Sequence, residues 1–169
     1  IAQYTILSYM AAHLDKLFLP SSFSYRKRKS AKQAIQQCHR LLQQGYQCVL
    51  ESDIQDFFDT VDHDILLGLI EAYFPNDELL YTLIRRYLKT GSIGAVRQGK
   101  IRSPKAGYRA NTKGLPQGGV LSGLLANLYL HTLDQWLAEQ CPEVQLIRYA
   151  DDFVIPVSYT HLRAHETNV

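Results

Sequence analysis

Ten residues near the C-terminal end constrain this chain most. Leu146-Ile147-Arg148-Tyr149 and Phe153-Val154-Ile155 are β-prone runs, and Ala150-Asp151-Asp152 lies between them. Such runs around a short polar centre spell two strands joined by a tight turn, with Asp151 and Asp152 at its tip. Adjacent carboxylates repel each other and lose hydration, so positive charge belongs beside them. A divalent metal with oxygen ligands meets that need. A pair of aspartates is also what an ordinary solvated turn contains, so other stretches must decide.

Two others fit the same chemistry. Gln47 to Ile54 reads as a strand that delivers Asp53 to its end. Nucleotidyl transfer is an in-line attack of a hydroxyl on phosphorus, with charge growing on the attacking and leaving oxygens. Two divalent ions about 3.5–4 Å apart stabilise both. Carboxylates from separate strands must converge to hold them, and Asp53 with Asp151 and Asp152 can do so on one sheet. Asp56, Asp59, Asp62 and Asp64 are then surplus, with Asp62 or Asp64 better suited to a helix N-terminus.

The rest of the chain reads as helices around that sheet. Tyr4, Leu7, Met10, Ala11, Leu14, Leu17 and Phe18 recur at helical spacing over 3–18, before Pro20. Ser30 can cap a helix over 31–44, stopped by Gly45. Helices follow over 62–73 and 77–90, separated by Pro75-Asn76-Asp77. Residues 91–113, with Gly91, Gly94, Gly99 and Gly107, suggest a hairpin or mobile loop. Gly114-Leu115-Pro116-Gln117-Gly118-Gly119 forms a rigid turn into a helix over 120–139. Its apolar face is Leu121, Leu124, Leu125, Leu128, Leu133 and Trp136.

Charge is segregated. Lys16 to Tyr46 holds seven Lys/Arg and no acid, and Arg85 to Lys113 holds nine and none. Six carboxylates lie between them, from Glu51 to Asp64. Basic flanks around an acidic centre suit a polyanion held against metal ions, though solvated helix faces look the same. The loop Ser24-Tyr25-Arg26-Lys27-Arg28-Lys29-Ser30 meets a helix N-terminus, where backbone N–H groups also favour phosphate. The three cysteines, Cys38, Cys48 and Cys141, show no paired spacing and fit reduced thiols in a cytoplasm-like compartment. No apolar run reaches about 18 residues, so no membrane span is expected.

Three motifs, in order, resemble those of bacterial reverse transcriptases: Ser52-Asp53-Ile54-Gln55-Asp56-Phe57-Phe58-Asp59, Gly114-Leu115-Pro116-Gln117-Gly118-Gly119 and Tyr149-Ala150-Asp151-Asp152. The group II intron type is most similar, with Ser24-Tyr25 and Arg28-Lys29-Ser30 echoing a further element. The resemblance spans roughly residues 1–155. It implies an α+β right-hand polymerase: partial fingers over 1–46 and an incomplete palm over 47–156. Asp53, Asp151 and Asp152 match the family's catalytic metal ligands, and the Ile54 carbonyl should help hold one of two Mg²⁺ ions. Gln117 matches a residue near the incoming nucleotide's sugar. Phe58 matches the steric gate, whose ring leaves no room for a 2′-hydroxyl; one of Phe57 and Phe58 is expected in the core. Arg26, Arg28, Lys29 and Tyr149 are the expected nucleic-acid contacts. The implied partners are an RNA template, a DNA primer, deoxynucleoside triphosphates and, in an intron-encoded protein, intron RNA.

Two positions depart from the intron pattern. Gly123 follows Ser122 where proline is usual, and Arg26 follows Tyr25 where glycine is expected. The family's triphosphate-gripping basic residues fall before Ile1 and its thumb after Ile155, so these residues alone are expected to be inactive and marginally stable. Ser158-Tyr159-Thr160-His161-Leu162-Arg163-Ala164-His165-Glu166 resembles an in-frame translation of a sequencing-library adapter. Residues 157–169 are therefore read as a non-native tail, and the His161/His165 spacing is discounted. Two alternatives stand beside the reverse transcriptase: an RNA-binding splicing cofactor of the maturase kind, suggested by the basic segments, and an RNA-templated RNA polymerase, disfavoured by Phe58.

Overall fold

The computed structural model describes residues 1–89, 112–116 and 118–157. Its elements are α1 (Ala2–Leu14), α2 (Ala31–Gln43), β1 (Cys48–Ser52), α3 (Phe57–Thr60), α4 (His63–Tyr73), α5 (Glu78–Lys89), α6 (Ser122–Gln140), β2 (Ile147–Tyr149) and β3 (Asp152–Val157). Gln117, residues 91–111 of the hairpin or loop expected over 91–113, and residues 158–169 of the tail expected over 157–169 lie outside the described residues.

Local capping chemistry sets the start of three of the six described helices. Ser30 Oγ accepts the Gln33 N–H at the start of α2, and Gly45, at φ +97°, follows its C-cap. Asp62 accepts from the N–H groups of Asp64 and Ile65 ahead of α4. Asp77 Oδ1 accepts from Leu80 N ahead of α5.

Two helices depart from the sequence reading. The first ends at Leu14, not near residue 18, because Arg26 seizes the chain there. Its guanidinium donates to Asp15 Oδ1, to the Asp15 carbonyl, and to the carbonyls of Leu19 and Ser22. Phe18 stays in the core, whereas Tyr4 and Leu17 are exposed. On α6, Leu121, Leu124, Leu125 and Leu128 are buried as expected, but Trp136 is 55% exposed. The same helix buries Asp134. Two residues on, at 100° each, Trp136 must face the opposite way.

The sheet has the order β1-β3-β2, with both pairings antiparallel. The expected β1 strand adjoins β3 alone, with β2 on the far side. β3 runs through Pro156 to Val157, opposite Val49 and Cys48. Pro156 has no N–H to donate, and it sits where β2 has already ended and β3 has one neighbour. The outer edge of β2 is covered too: Arg148 N donates to the Ser21 carbonyl and Phe23 N to the Arg148 carbonyl.

Two apolar cores result. The larger joins α1, α4, α5 and α6 through Met10, Leu14, Leu66, Ile70, Ile84 and Leu125. The smaller packs Ile147 of β2 and Val154 of β3 on Phe23 and on Ala34 and Leu41 of α2. Each fully buried Leu or Ile contributes about 1.5–3 kcal/mol. The architecture is α+β, helices on an antiparallel sheet.

Candidate active site

The hairpin turn is built from Ala150 and Asp151. Tyr149 and Asp152 face each other across it, so Asp152 is the first residue of β3 and the tip carries Asp151 alone of the two aspartates. Ala150 has φ +60°, the one positive φ in the turn. That sign pattern belongs to a type II′ turn, which suits the twist of paired strands. A left-handed backbone at a non-glycine residue costs roughly 1–2 kcal/mol, which its surroundings must offset.

Register brings the third aspartate alongside. Ser52 pairs with Phe153 and Glu51 with Val154. The ladder ends there: Asp53 follows Ser52 and Asp152 precedes Phe153, so the two stand at the adjoining ends of their strands. Side chains alternate along a strand, so Glu51 and Asp152 share one face. The charges feel one another: the Asp152 carboxyl titrates above the usual range, through partial desolvation first, then Asp53, Asp151 and Glu51. A raised folded-state pKa means that Asp152 supports folding when protonated. That support is complete below the unfolded carboxylate range and fades as pH rises through the folded value. Glu51 was not singled out from the sequence; only the register reveals it.

Among the described residues, no three His, Cys, Asp or Glu side chains converge closely enough to hold a metal ion. The sequence led us to expect three converged carboxylates, and the fold instead gathers them at one end of the sheet without closing them into a cage. The donor set nonetheless suits a hard divalent cation: it is all oxygen, and its central carboxylate is destabilised by neighbouring acids. The Ile54 carbonyl accepts the Phe57 N–H at 3.2 Å, which leaves one of its two lone pairs.

The Gly114-Leu115-Pro116 turn docks on the segment after Asp53. Gly114 N donates to the Val61 carbonyl at 2.7 Å and Leu115 N to the Phe58 carbonyl at 2.6 Å. His63 Nε2 lies 2.7 Å from the Gly114 carbonyl. Gly114, at φ +90°, passes so close that a Cβ would stand 3.0 Å from the Asp59 carbonyl oxygen. Phe57 is the core residue of the expected pair, 4% exposed, and Phe58 is half-buried against it, ring to ring at 5.5 Å.

The basic loop divides. Arg26 is consumed by its four internal hydrogen bonds, so the expected contact with nucleic acid gives way to a role in shaping the loop. Lys29 Nζ donates to the Pro20 carbonyl at 3.0 Å and lies 4.4 Å from the Phe23 ring centre. Burial lowers its pKa. Arg28 remains exposed, and Tyr149 is 41% exposed.

Tyr25 is a site neighbour that the sequence reading passed over. Burial raises its hydroxyl pKa, and so do Asp151 and Tyr149. Its ring occupies the space over Gly123, where a Cβ would fall within 2.4 Å of Cδ1. The departure from proline at 123 and the placement of Tyr25 are therefore one feature.

The reverse transcriptase (RNA-dependent DNA polymerase) family matches residues 2–168. The chain belongs to that family. It is 33% identical over 125 residues to the group II intron-encoded protein LtrA of Lactococcus lactis subsp. cremoris, covering 74% of this chain and 19% of that one. Protein YkfC of Escherichia coli (strain K12) is 28% identical, over 95% of this chain and 48% of its own length. The chain thus spans about a fifth to a half of these relatives. The structure of apo telomerase from Candida tropicalis truncated from its C-terminal domain superposes with a TM-score of 0.59 at 16% identity, over 98% of this chain and 35% of that one. The fold is that of a right-hand polymerase palm with part of the fingers, and reverse transcriptases use divalent metals and bind nucleic acid. No helix among the described residues is long and apolar enough to cross a membrane.

Proposed function

We propose that this chain is the catalytic palm (47–156) and part of the fingers (1–46) of an RNA-directed DNA polymerase of the group II intron type, working in a bacterial cytoplasm. The observation that supports this reading is the β1–β3 register, whose last pair, Ser52 with Phe153, leaves Asp53 and Asp152 at the adjoining ends of the two strands, next to Asp151. Asp53, Asp151 and Asp152, with the Ile54 carbonyl, would hold two Mg²⁺ ions. When bound, such ions stabilise the charge on attacking and leaving oxygens. Tyr149 stands at the primer end, Phe58 and Gln117 beside the incoming deoxynucleotide, and Arg28 beside the backbone of the template–primer.

A splicing cofactor without polymerase work loses part of its support, because Arg26 of the first basic segment is spent inside the fold. Primer extension on an RNA template by the full natural protein tests the reading. Wild type should insert deoxynucleotides and reject ribonucleotides. Phe58→Ala should keep deoxynucleotide insertion and raise relative ribonucleotide use roughly 10- to 100-fold, as expected for emptying an apolar pocket. Equal use of both sugars by wild type would contradict the assignment.

A further inference from the structure

One buried cluster lies outside the metal-facing carboxylates. Arg148 is fully buried, and so is its ion pair with Asp134 of α6. All five of its N–H donors are used. Nε and Nη2 grip Asp134 Oδ1 and Oδ2 at 2.8 and 2.6 Å. The remaining Nη2 donor reaches Ser22 Oγ at 3.1 Å. Nη1 donates to Asn127 Oδ1 at 3.0 Å and to the Ala150 carbonyl at 2.9 Å. The other side of Ala150 is held as well, since its N–H donates to Ser24 Oγ at 2.7 Å. Asn127 Nδ2 in turn fixes the Ser24 carbonyl at 2.7 Å.

The residue clamped on both sides is the left-handed one next to Asp151. Both clamps are anchored on α6, through Asp134 and Asn127, seven residues apart and so on one helix face. The surroundings that must offset the strain at Ala150 are these groups. A planar fork with five donors can serve this geometry, and an ammonium with three cannot.

We propose that Arg148, Ser24 and Asn127 are positioning residues: they lock the Ala150 peptide groups to α6 and so set where Asp151 and Asp152 present their carboxylates to the metal ions. The proposal rests on the polymerase reading for its catalytic consequence, but the clamp itself can be measured without it. A carboxylate pair on a loosened turn would bind ions less well and misplace them by a fraction of an ångström. Misplacement of about 1 Å costs up to about 10²-fold in rate.

The test uses the full natural protein with two variants. Ser24→Ala removes one clamp and leaves the ion pair intact. The double variant Arg148→Met/Asp134→Leu removes the other and leaves no buried unpaired charge, so it should fold. Three readouts are taken: amide hydrogen exchange at Ala150 in metal-free protein, the Mn²⁺ concentration for half-saturation by spin resonance, and kcat and KM for deoxynucleotide insertion. Both variants should exchange the Ala150 amide about tenfold faster, Ser24→Ala through loss of its acceptor and the double variant through loosening of the turn, and need more Mn²⁺. Each should lose about 10- to 100-fold in kcat with KM for deoxynucleotide nearly unchanged. A merely structural role would leave exchange and Mn²⁺ affinity of the folded fraction as in wild type, and that result overturns the proposal. Wild type that binds Mn²⁺ but inserts no deoxynucleotide would sink the polymerase reading instead, with the clamp still judged by exchange and Mn²⁺.

Discussion

Asp53→Asn in the full natural protein is expected to cut deoxynucleotide incorporation by at least about 10²–10³-fold, the usual cost of removing one group that stabilises transition-state charge. Asparagine keeps the volume and removes the charge. Asp53 is exposed at the end of β1, so its packing contribution is small and the melting temperature should barely move. The Asp152 carboxyl, pushed up in part by Asp53, should titrate closer to its ordinary range. Loss of rate with retained folding would place the effect in metal binding. Asp56→Asn is the control: Asp56 lies in the next loop with no part in the β1–β3 register, and incorporation should stay near wild type. Unchanged incorporation by Asp53→Asn would end the case for this residue as a ligand.

The largest stability effect should come from the buried ion pair. Asp134→Ala leaves the Arg148 guanidinium, fully buried, without its anion and with two donors unmet. Breaking one side of such a pair costs about 3–5 kcal/mol, a large share of the roughly 5–15 kcal/mol that holds a typical domain. Replacing both partners by apolar residues of similar size should cost far less, because no charge is then stranded in a dry interior. Urea unfolding of the two variants beside wild type measures the difference. Equal losses would mean that the pair's attraction exceeds its desolvation cost.

The parts of this fold that were legible in the sequence rest on local physics. Ser30, Asp62 and Asp77 each cap the helix that follows because a short oxygen-bearing side chain needs only the next turn. The hairpin was legible because two apolar runs flank a short polar centre. The antiparallel sheet followed from motif order and the family resemblance, which fixes long-range topology that composition cannot. What escaped was set by partners far away in sequence. The first helix stops at Leu14 because Arg26, eleven residues past Asp15, reaches back to it. Trp136 is turned outward because Asp134 is turned inward, toward a cation on another element. Arg148 did leave a mark, an always-charged side chain between Ile147 and Tyr149 in a strand with little room for it. Its partners at 22, 127 and 134 could not be named without the fold. Tyr25 and Gly123 form a complementary pair, a ring in the space a missing Cβ leaves, and neither residue announces the other.

One spatial claim is central: Asp53, just past β1, and the aspartates of the hairpin serve shared divalent ions. Diffraction from crystals of the full natural protein soaked in Mn²⁺, recorded at the manganese edge, tests it most directly. The expected result is anomalous density bridging Asp53 and Asp152, at about 2.0–2.6 Å from their carboxylate oxygens, with Asp151 and the Ile54 carbonyl completing the ligands. Manganese bound elsewhere, with the Asp53 carboxylate more than about 8 Å from those of Asp151 and Asp152 and so too far to share a metal pair, would contradict it.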